Sequence, residues 1–482
     1  MTPEMQLAIP LKLVFMSPNP SSALPAPLRE RSEFTDMNLS RMLRARAAAG
    51  DPIRVGVIGA GKFGSMYLAQ AIRTPGVHVL GVADLDVERA RAALDRTHWT
   101  PEQYGAASFD AARRTGATHV TADSAALIAA GVDVIVEATG NPAVGIRHAL
   151  AAFQAGAHVA MVNVEADALA GPLLAREAAA AGVVYSLAYG DQPALIVELV
   201  DWARTAGFEV IAAGKGTRYQ PYLHQSTPAT VWDHYGIDAL HARQNHLNAQ
   251  MFNSFLDGTK SALEMAAVAN ACSLNAPADG LAFPDLAIPE LPDGLKPKAD
   301  GGLLEGRGMV EVVASERRNG DPIEANLRWG VYVTFAGDTD YARTCFKEYG
   351  IVTDASGNYS AMWRPAHLIG LELGLTVASA ALRKEPTGVA EAWRADVVAV
   401  AKTDLAAGVK LDGEGGYTVW GKLMPAKASL ALGGLPIGLA HGLTLKRAIP
   451  AGAPVSWSDV ATISDDFATS YRKRMEREFA PG

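Results

Sequence analysis

A chain of 482 residues, 49% of them apolar and 20% charged, with a net charge of −8, is large enough for about two to four globular domains with a real core. No run of Lys or Arg forms a stripe for a polyanion, so nucleic acid is not an expected partner. The two cysteines, Cys272 and Cys345, lie outside any CxxC or Cys/His spacing, which argues against a disulfide framework or structural zinc and for a reducing, cytoplasmic compartment.

No stretch reaches the roughly 18 uninterrupted apolar residues of a membrane helix. The segment Leu7–Met16 is interrupted by Pro10 and Lys12 and lacks a basic leader and a small-residue cleavage site. Residues 1–36 are rich in Ser, Pro and Ala without periodicity, and are expected to be disordered or to precede a true start at Met37. MNLSRMLRARAAAG then reads as an amphipathic helix ending at Gly50.

From Ile53 the pattern alternates. IRVGVIGAG is an apolar strand running into glycines. KFGSMYLAQAIRT is a helix with Phe63, Met66, Tyr67 and Ala71 at helical spacing. Further strands are expected at Val77–Asp86, Val132–Gly140, AHVAMVNVEAD and Val183–Pro193, with helices between them. This rhythm predicts an α/β fold, with a doubly wound parallel Rossmann sheet over 37–190. An α+β substrate or catalytic domain is expected over 191–385. It would contain a strand at Phe208–Tyr219, a helix around NSFLDGTKSALEMAAVANAC and a long helix at His367–Arg383. Short strands with Gly/Pro turns then predict a small all-β module and C-terminal tail over 386–482.

Gly59-Ala60-Gly61-Lys62-Phe63-Gly64 is a GxGxxG run that leaves a strand and opens a helix, as dinucleotide binding requires. Gly59 permits the tight turn, Gly61 lets a pyrophosphate approach the backbone, and Gly64 lets helix and strand pack closely. Asp84, twenty residues after Gly64, places a carboxylate where the ribose 2′-hydroxyl of NAD would lie. Arg89 and Arg91 follow, read as exposed helix residues able to hold the 2′-phosphate of NADP if the loop bends inward. Thr139 and Gly140 end one buried strand, and Asn163 and Glu165 end the next; these positions face the ligand crevice of a parallel sheet.

Lys215, between Gly214 and Gly216, is a candidate to bind a carbonyl, carboxylate or phosphate. Asp257, Lys260 and Glu264 form a charged row on an otherwise apolar helix, Lys260 and Glu264 an i,i+4 pair. Asp191, His224, His234 and His241 have no metal spacing and read mostly as loop or core residues.

Along IRVGVIGAGKFG, VDVIVEATG and AGAHVAMVNVEAD the chain resembles the homoserine dehydrogenase family. That family has a Lys after the Asn of the third stretch, where this chain has Val164. Its Asp and Lys at the start of a substrate helix look like Asp257 and Lys260, with one fewer intervening residue, and Lys215 is available as a substitute ammonium. YGDQPALIVELVDWAR, AAGKGTRY, STPATVW and the C-terminal third are similar to a branch of that family with a SAF-like β-clip module. One activity in that branch is 1-deoxy-D-xylulose-5-phosphate reductoisomerase-like, an NADPH-dependent step of isoprenoid biosynthesis. The resemblance therefore implies an NAD- or NADP-dependent oxidoreductase acting on a small polyhydroxylated or phosphorylated carbonyl compound, and it admits a divalent metal with no ligand set identified. Lys215 and Lys260 are the cations expected at the developing alkoxide, with Asp257 orienting Lys260, and Lys215 with Arg218 suits a substrate phosphate. A homoserine-type alcohol dehydrogenase and a non-catalytic nucleotide- or carbohydrate-binding protein are the alternatives. A homo-oligomer is expected from the habit of such enzymes.

Overall fold

The structure, a computed structural model, describes residues 38–244, 247–461 and 466–480; the segment expected to be disordered, 1–36, lies outside them. Apolar runs with little alternation assemble into a parallel sheet: β1 (Ile53–Ile58), β2 (Val77–Ala83), β3 (His119–Thr121), β4 (Val134–Glu137), β5 (His158–Met161) and β6 (Tyr185–Leu187). The strand order β3-β2-β1-β4-β5-β6 reverses between β1 and β4, and ligands of such sheets bind at the carboxyl ends beside that switch. Around the sheet lie α1 (Leu39–Ala48), α2 (Lys62–Ala71), α3 (Val87–Arg96), α4 (Pro142–Gln154) and α5 (Val164–Ala180).

Capping sets where the strands give way to helices. The Asn141 side chain accepts from Val144 N (3.1 Å) and Pro142 pre-sets the first turn of α4. Asn163 likewise accepts from Ala166 N (3.1 Å). The strand expected through Asp167 therefore stops at Met161, and Glu165 lies in the first turn of α5 instead of at a strand end.

A mixed sheet follows, in the order β10-β11-β9-β7-β8. Its strands are β7 (Glu209–Thr217), β8 (Met309–Ala314), β9 (Val331–Ala336), β10 (Val352–Thr353) and β11 (Tyr359–Arg364), with β7 and β8 parallel and the other pairs antiparallel. Helices α6 (Gln192–Thr205), α7 (Ala249–Leu256) and α8 (Thr259–Cys272) belong to this half, and every residue of α8 is buried. Gly214 and Gly216 serve close packing here: a Cβ would meet Glu311 O at 1.8 Å and Leu327 O at 2.0 Å. They do not clear room around Lys215.

The long helix expected at His367–Arg383 begins only at Gly374, and its last five residues, Ser379–Arg383, widen to π pitch. Gly370 explains the delay. It turns at φ +76° with its backbone against α2, where a Cβ would lie 2.6 Å from Met66 Cβ.

Beyond residue 386 the chain is less purely β than expected. The strands β12 (Ala395–Ala401) and β13 (Val419–Pro425) pair antiparallel, but the other pairings of this region are isolated bridges. Pro425 and Pro436 open short helices at Ala426–Leu432 and Ile437–Ala440, and α9 (Phe467–Glu478) is the last helix of the described residues. The β12–β13 sheet lies on α8, and Val397, Ala399 and Leu423 share one core with Leu263, Met265 and Val310. No helix among the described residues is long and apolar enough to cross a membrane.

Lys402 bolts this junction. Its ammonium, 1% exposed, donates to Asp257 (2.8 Å), Ser226 O (2.7 Å) and Gly416 O (2.6 Å), so all three N–H groups are used. The Lys402→Met substitution leaves the fully buried Asp257 carboxylate without its cation. It should cost about 3–5 kcal/mol in chemical denaturation, with Asp257→Asn added to it recovering part of the loss.

Candidate active site

The glycine loop between β1 and α2 is built by three different constraints. Gly59 adopts φ +97°, and a Cβ there would lie 2.6 Å from Ala138 O on the neighbouring strand end. A Cβ on Gly64 would lie 2.1 Å from Gly59 O, so helix and strand approach only because it has none. Gly61 has nothing within 4 Å of its Cβ position and opens onto a cleft, leaving room for a phosphate at the amides that start α2. Asp84, at the end of β2, steadies the loop by accepting from Ala60 N (2.9 Å); its other oxygen accepts from Asp86 N (2.9 Å) and pairs with Arg89 (2.5 Å). Arg91 pairs with Glu88 on the surface.

The second wall comes from the ends of β4 and β5. Glu137 is fully buried and accepts from the Thr139 hydroxyl (2.6 Å) and His148 Nδ1 (3.2 Å). Asn163 Nδ2 donates to Asn141 O (2.9 Å). Thr139 and Asn163 are thereby held in place at the crevice.

A cavity of about 420 Å³ lies between these walls, α7, the start of α8 and two loops of the C-terminal region. Gly61, Lys62, Phe63, Thr139, Gly140, Asn163, Glu165 and Lys260 line it, together with Gln250, Met251, Ser254, Phe255, Glu414, Ile437 and His441. Lys260 donates to Glu165 (2.6 Å). Burial opposes the charge on Lys260, but Glu165, Glu264, Asp191 and Glu414 outweigh it and hold the ammonium above the ordinary lysine range. Asp191, which caps α6, is pushed up to about 6 by burial and then by Glu264. Glu414 is pushed up to about 8 by burial and by Glu165, with Lys260 opposing.

Residues 53–161 match the family model described as "Oxidoreductase family, NAD-binding Rossmann fold", and residues 190–373 match "Oxidoreductase DRL, catalytic domain". This chain is an NAD(P)-dependent oxidoreductase. A search of curated proteins finds no match to it. Among solved structures, the oxidoreductase is similar to a homoserine dehydrogenase from Thiobacillus denitrificans (13% identity over 73% of this chain and 83% of that one, TM-score 0.42). It is also similar to a 1-deoxy-D-xylulose 5-phosphate reductoisomerase from Zymomonas mobilis in complex with NADPH (20%, 44% and 57%, TM-score 0.31). A third is an oxidoreductase from Agrobacterium radiobacter in complex with NAD+, L-tartaric acid and magnesium (16%, 34% and 44%, TM-score 0.25), of whose length this chain spans less than half. Likeness at this level says nothing about the substrate.

The candidate catalytic residues of the oxidoreductase fall in different places. Lys260 is on the cavity wall. Lys215 is buried within β7 and pairs with Glu264, away from that wall. The i,i+4 partnership expected between Lys260 and Glu264 is thus replaced by two pairs that reach other elements. Asp257 does not orient Lys260 either: it holds Lys402 and accepts from Thr259 N (2.9 Å). Arg218 pairs with Glu316 (2.7 Å). His224 bonds Tyr219 and Asp257 O and stacks on Trp420, as a core histidine would. Among the described residues no group of three or more His, Cys, Asp or Glu could hold a metal ion.

Gln250, Ser254, Glu414 and His441 were not singled out from sequence. Only Glu414 carried a signal, an acid between glycines in DGEGG.

The two glycines that differ in surroundings should differ in effect. Gly64→Ala is expected to lower both thermal stability and dinucleotide affinity. Gly61→Ala, with open space at its Cβ, is expected to keep the melting temperature while weakening NADH and NADPH binding by about tenfold or more in fluorescence titration.

Proposed function

We propose that this oxidoreductase interconverts a carbonyl and an alcohol on a small, uncharged, polyhydroxylated substrate, with Lys260 as the cation at the reacting oxygen. The observation that carries this reading is that Lys260, fixed by Glu165, lines the same cavity as the glycine loop. A nicotinamide bound there supplies or accepts the hydride. Lys260 donates an N–H to the substrate oxygen as negative charge gathers on it, in a site walled by Phe63, Met251, Phe255 and Ile437, where little water dilutes the interaction. The oxygens of Thr139 and Gln250 on the wall can accept from a polyol's hydroxyls, their own protons being given to Glu137 and to the carbonyls of Asp412 and Glu414.

The uncharged class is favoured over a phosphate ester because the cations expected to bind phosphate already have partners. Lys215 is paired with Glu264 and Arg218 with Glu316, and neither lines the cavity. Of the basic residues on the cavity wall, His441 bonds Asp412 O through Nδ1 (2.9 Å), and Lys62 sits at the glycine loop where the nucleotide's own phosphates would lie.

The Lys260→Met variant should retain NADH and NADPH binding while its kcat, followed as cofactor absorbance over a panel of polyols and their ketones, falls about 100- to 1,000-fold. A variant as active as the wild type would overturn the assignment.

Both nucleotides fit the same reading. Arg89, more than half exposed, covers the Asp84 carboxylate and can turn outward to a 2′-phosphate. Arg89→Ala is expected to weaken NADPH about tenfold relative to NADH in parallel titrations.

A further inference from the structure

We propose that Glu414, carried by the C-terminal region, is the proton donor to the substrate oxygen when the carbonyl is reduced. This rests on the reading of the cleft just given and adds the group that completes it. Glu414 lines the same cavity as Lys260 and Glu165.

The turn that presents Glu414 is held on every side. The Asp412 carboxylate accepts from Thr418 N (3.0 Å), from the Thr418 hydroxyl and from Tyr417 N. Gln250 Nε2 donates to the carbonyls of Asp412 (3.1 Å) and Glu414 (2.7 Å). Asn253 Nδ2 donates to Gly415 O (2.9 Å) and Lys402 to Gly416 O (2.6 Å). Gly415 turns at φ +65°, and a Cβ there would lie 2.1 Å from Gln250 O, so the turn is pressed against α7. A backbone fixed this thoroughly, at a residue that lines the cavity and whose carboxyl is hydrogen-bonded to Ser254, is the construction expected of a positioned acid.

The charges around it decide its protonation. Glu165 faces it from α5, Lys260 from α8, Asp257 from the end of α7 with Lys402 behind it, and the Ser254 hydroxyl from α7. His441 stands on the same cavity wall. Burial and Glu165 keep the proton on Glu414 up to about pH 8 against the pull of Lys260. Lys260 holds its own protons too tightly to be the acid. Asp191 is less well placed, because it caps α6 and is not on the wall.

The step balances. The hydride pair leaving the reduced nicotinamide nucleotide forms the new C–H bond, and the C=O π pair moves to oxygen. The O–H bond forms with the proton from Glu414, whose carboxylate is reprotonated from solvent through the cleft mouth.

Infrared titration of the full-length, cofactor-free protein tests the acid directly. The difference spectrum of wild type minus Glu414→Gln should contain a protonated carboxyl band at pH 7 that disappears as the pH passes about 8. Reduction by the wild type should decline over the same range. The Glu414→Gln variant, folded by its melting curve and binding NADPH normally, should be slowed about 100-fold and lose that limb. Glu414→Asp, which keeps an acid on a shorter arm, should recover part of the rate. A Gln variant that reduces as fast as wild type with the same pH profile overturns this proposal and leaves the Lys260 reading intact. A wild type inactive on every polyol and ketone defeats the substrate reading instead. The infrared band then decides Glu414 by itself, its absence overturning the proposal and its presence supporting it.

Discussion

Helix α8 is buried along its whole length and nevertheless carries Lys260 and Glu264. In water two such charges, four residues apart, would pair with one another for a few tenths of a kcal/mol. Inside the protein each must find a partner that offsets the loss of its hydration. The structure answers by crossing the pairs: Lys260 reaches Glu165 on α5, and Glu264 reaches Lys215 on β7. Asp257, just before the helix, pairs with Lys402 from the end of β12. One helix is thereby tied to the nucleotide-binding half, the mixed sheet and the C-terminal region.

The proposed chemistry draws on an imbalance in that network. The cluster has three buried ammoniums (Lys215, Lys260 and Lys402) and five carboxyls, four of them buried (Glu165, Asp191, Asp257 and Glu264) and Glu414 half-buried at the cavity. Two carboxyls are left without a cation of their own, and burial drives their affinity for protons up, Asp191 to about 6 and Glu414 to about 8. A carboxyl that keeps its proton at neutral pH, as Glu414 does, beside a firmly charged lysine would supply the separate acid and electrostatic functions of the proposed carbonyl reduction.

The local features were legible in the sequence. GAGKFG, its preceding strand and Asp84 are close in sequence and constrained by backbone sterics, so spacing alone located the loop. The alternating apolar runs likewise announced the parallel sheet, because both of its faces are covered. The partners of Lys215, Lys260 and Asp257 were not legible, since each is supplied from another element: Glu264, Glu165 and Lys402 stand 49, 95 and 145 residues away. The i,i+4 rule that paired Lys260 with Glu264 applies to a solvated helix face. The small apolar run MAAVANAC that follows them was the sign of a helix enclosed on all sides. The helix expected from His367 failed for a nearer reason, since Gly370 is needed at α2 and turns the chain before Gly374.

The C-terminal region is consequently part of the working core. Its β12–β13 sheet covers α8, and Gly421 N donates to the Thr259 hydroxyl at the helix start (2.8 Å). Arg472 of α9, fully buried, bonds Leu169 O of α5 (3.0 Å) and Asp396 of β12 (2.6 Å), closing the loop back to the nucleotide-binding half. The cavity takes part of its wall from Glu414, Ile437, Gly438 and His441. Without that cover Lys260 would face water, where its attraction for a developing alkoxide drops several-fold with the rise in effective dielectric. In the proposed reaction, the same packing that gives α8 its dry surroundings would strengthen the hold of Lys260 on the alkoxide, so that stability and reactivity would rest on one set of contacts.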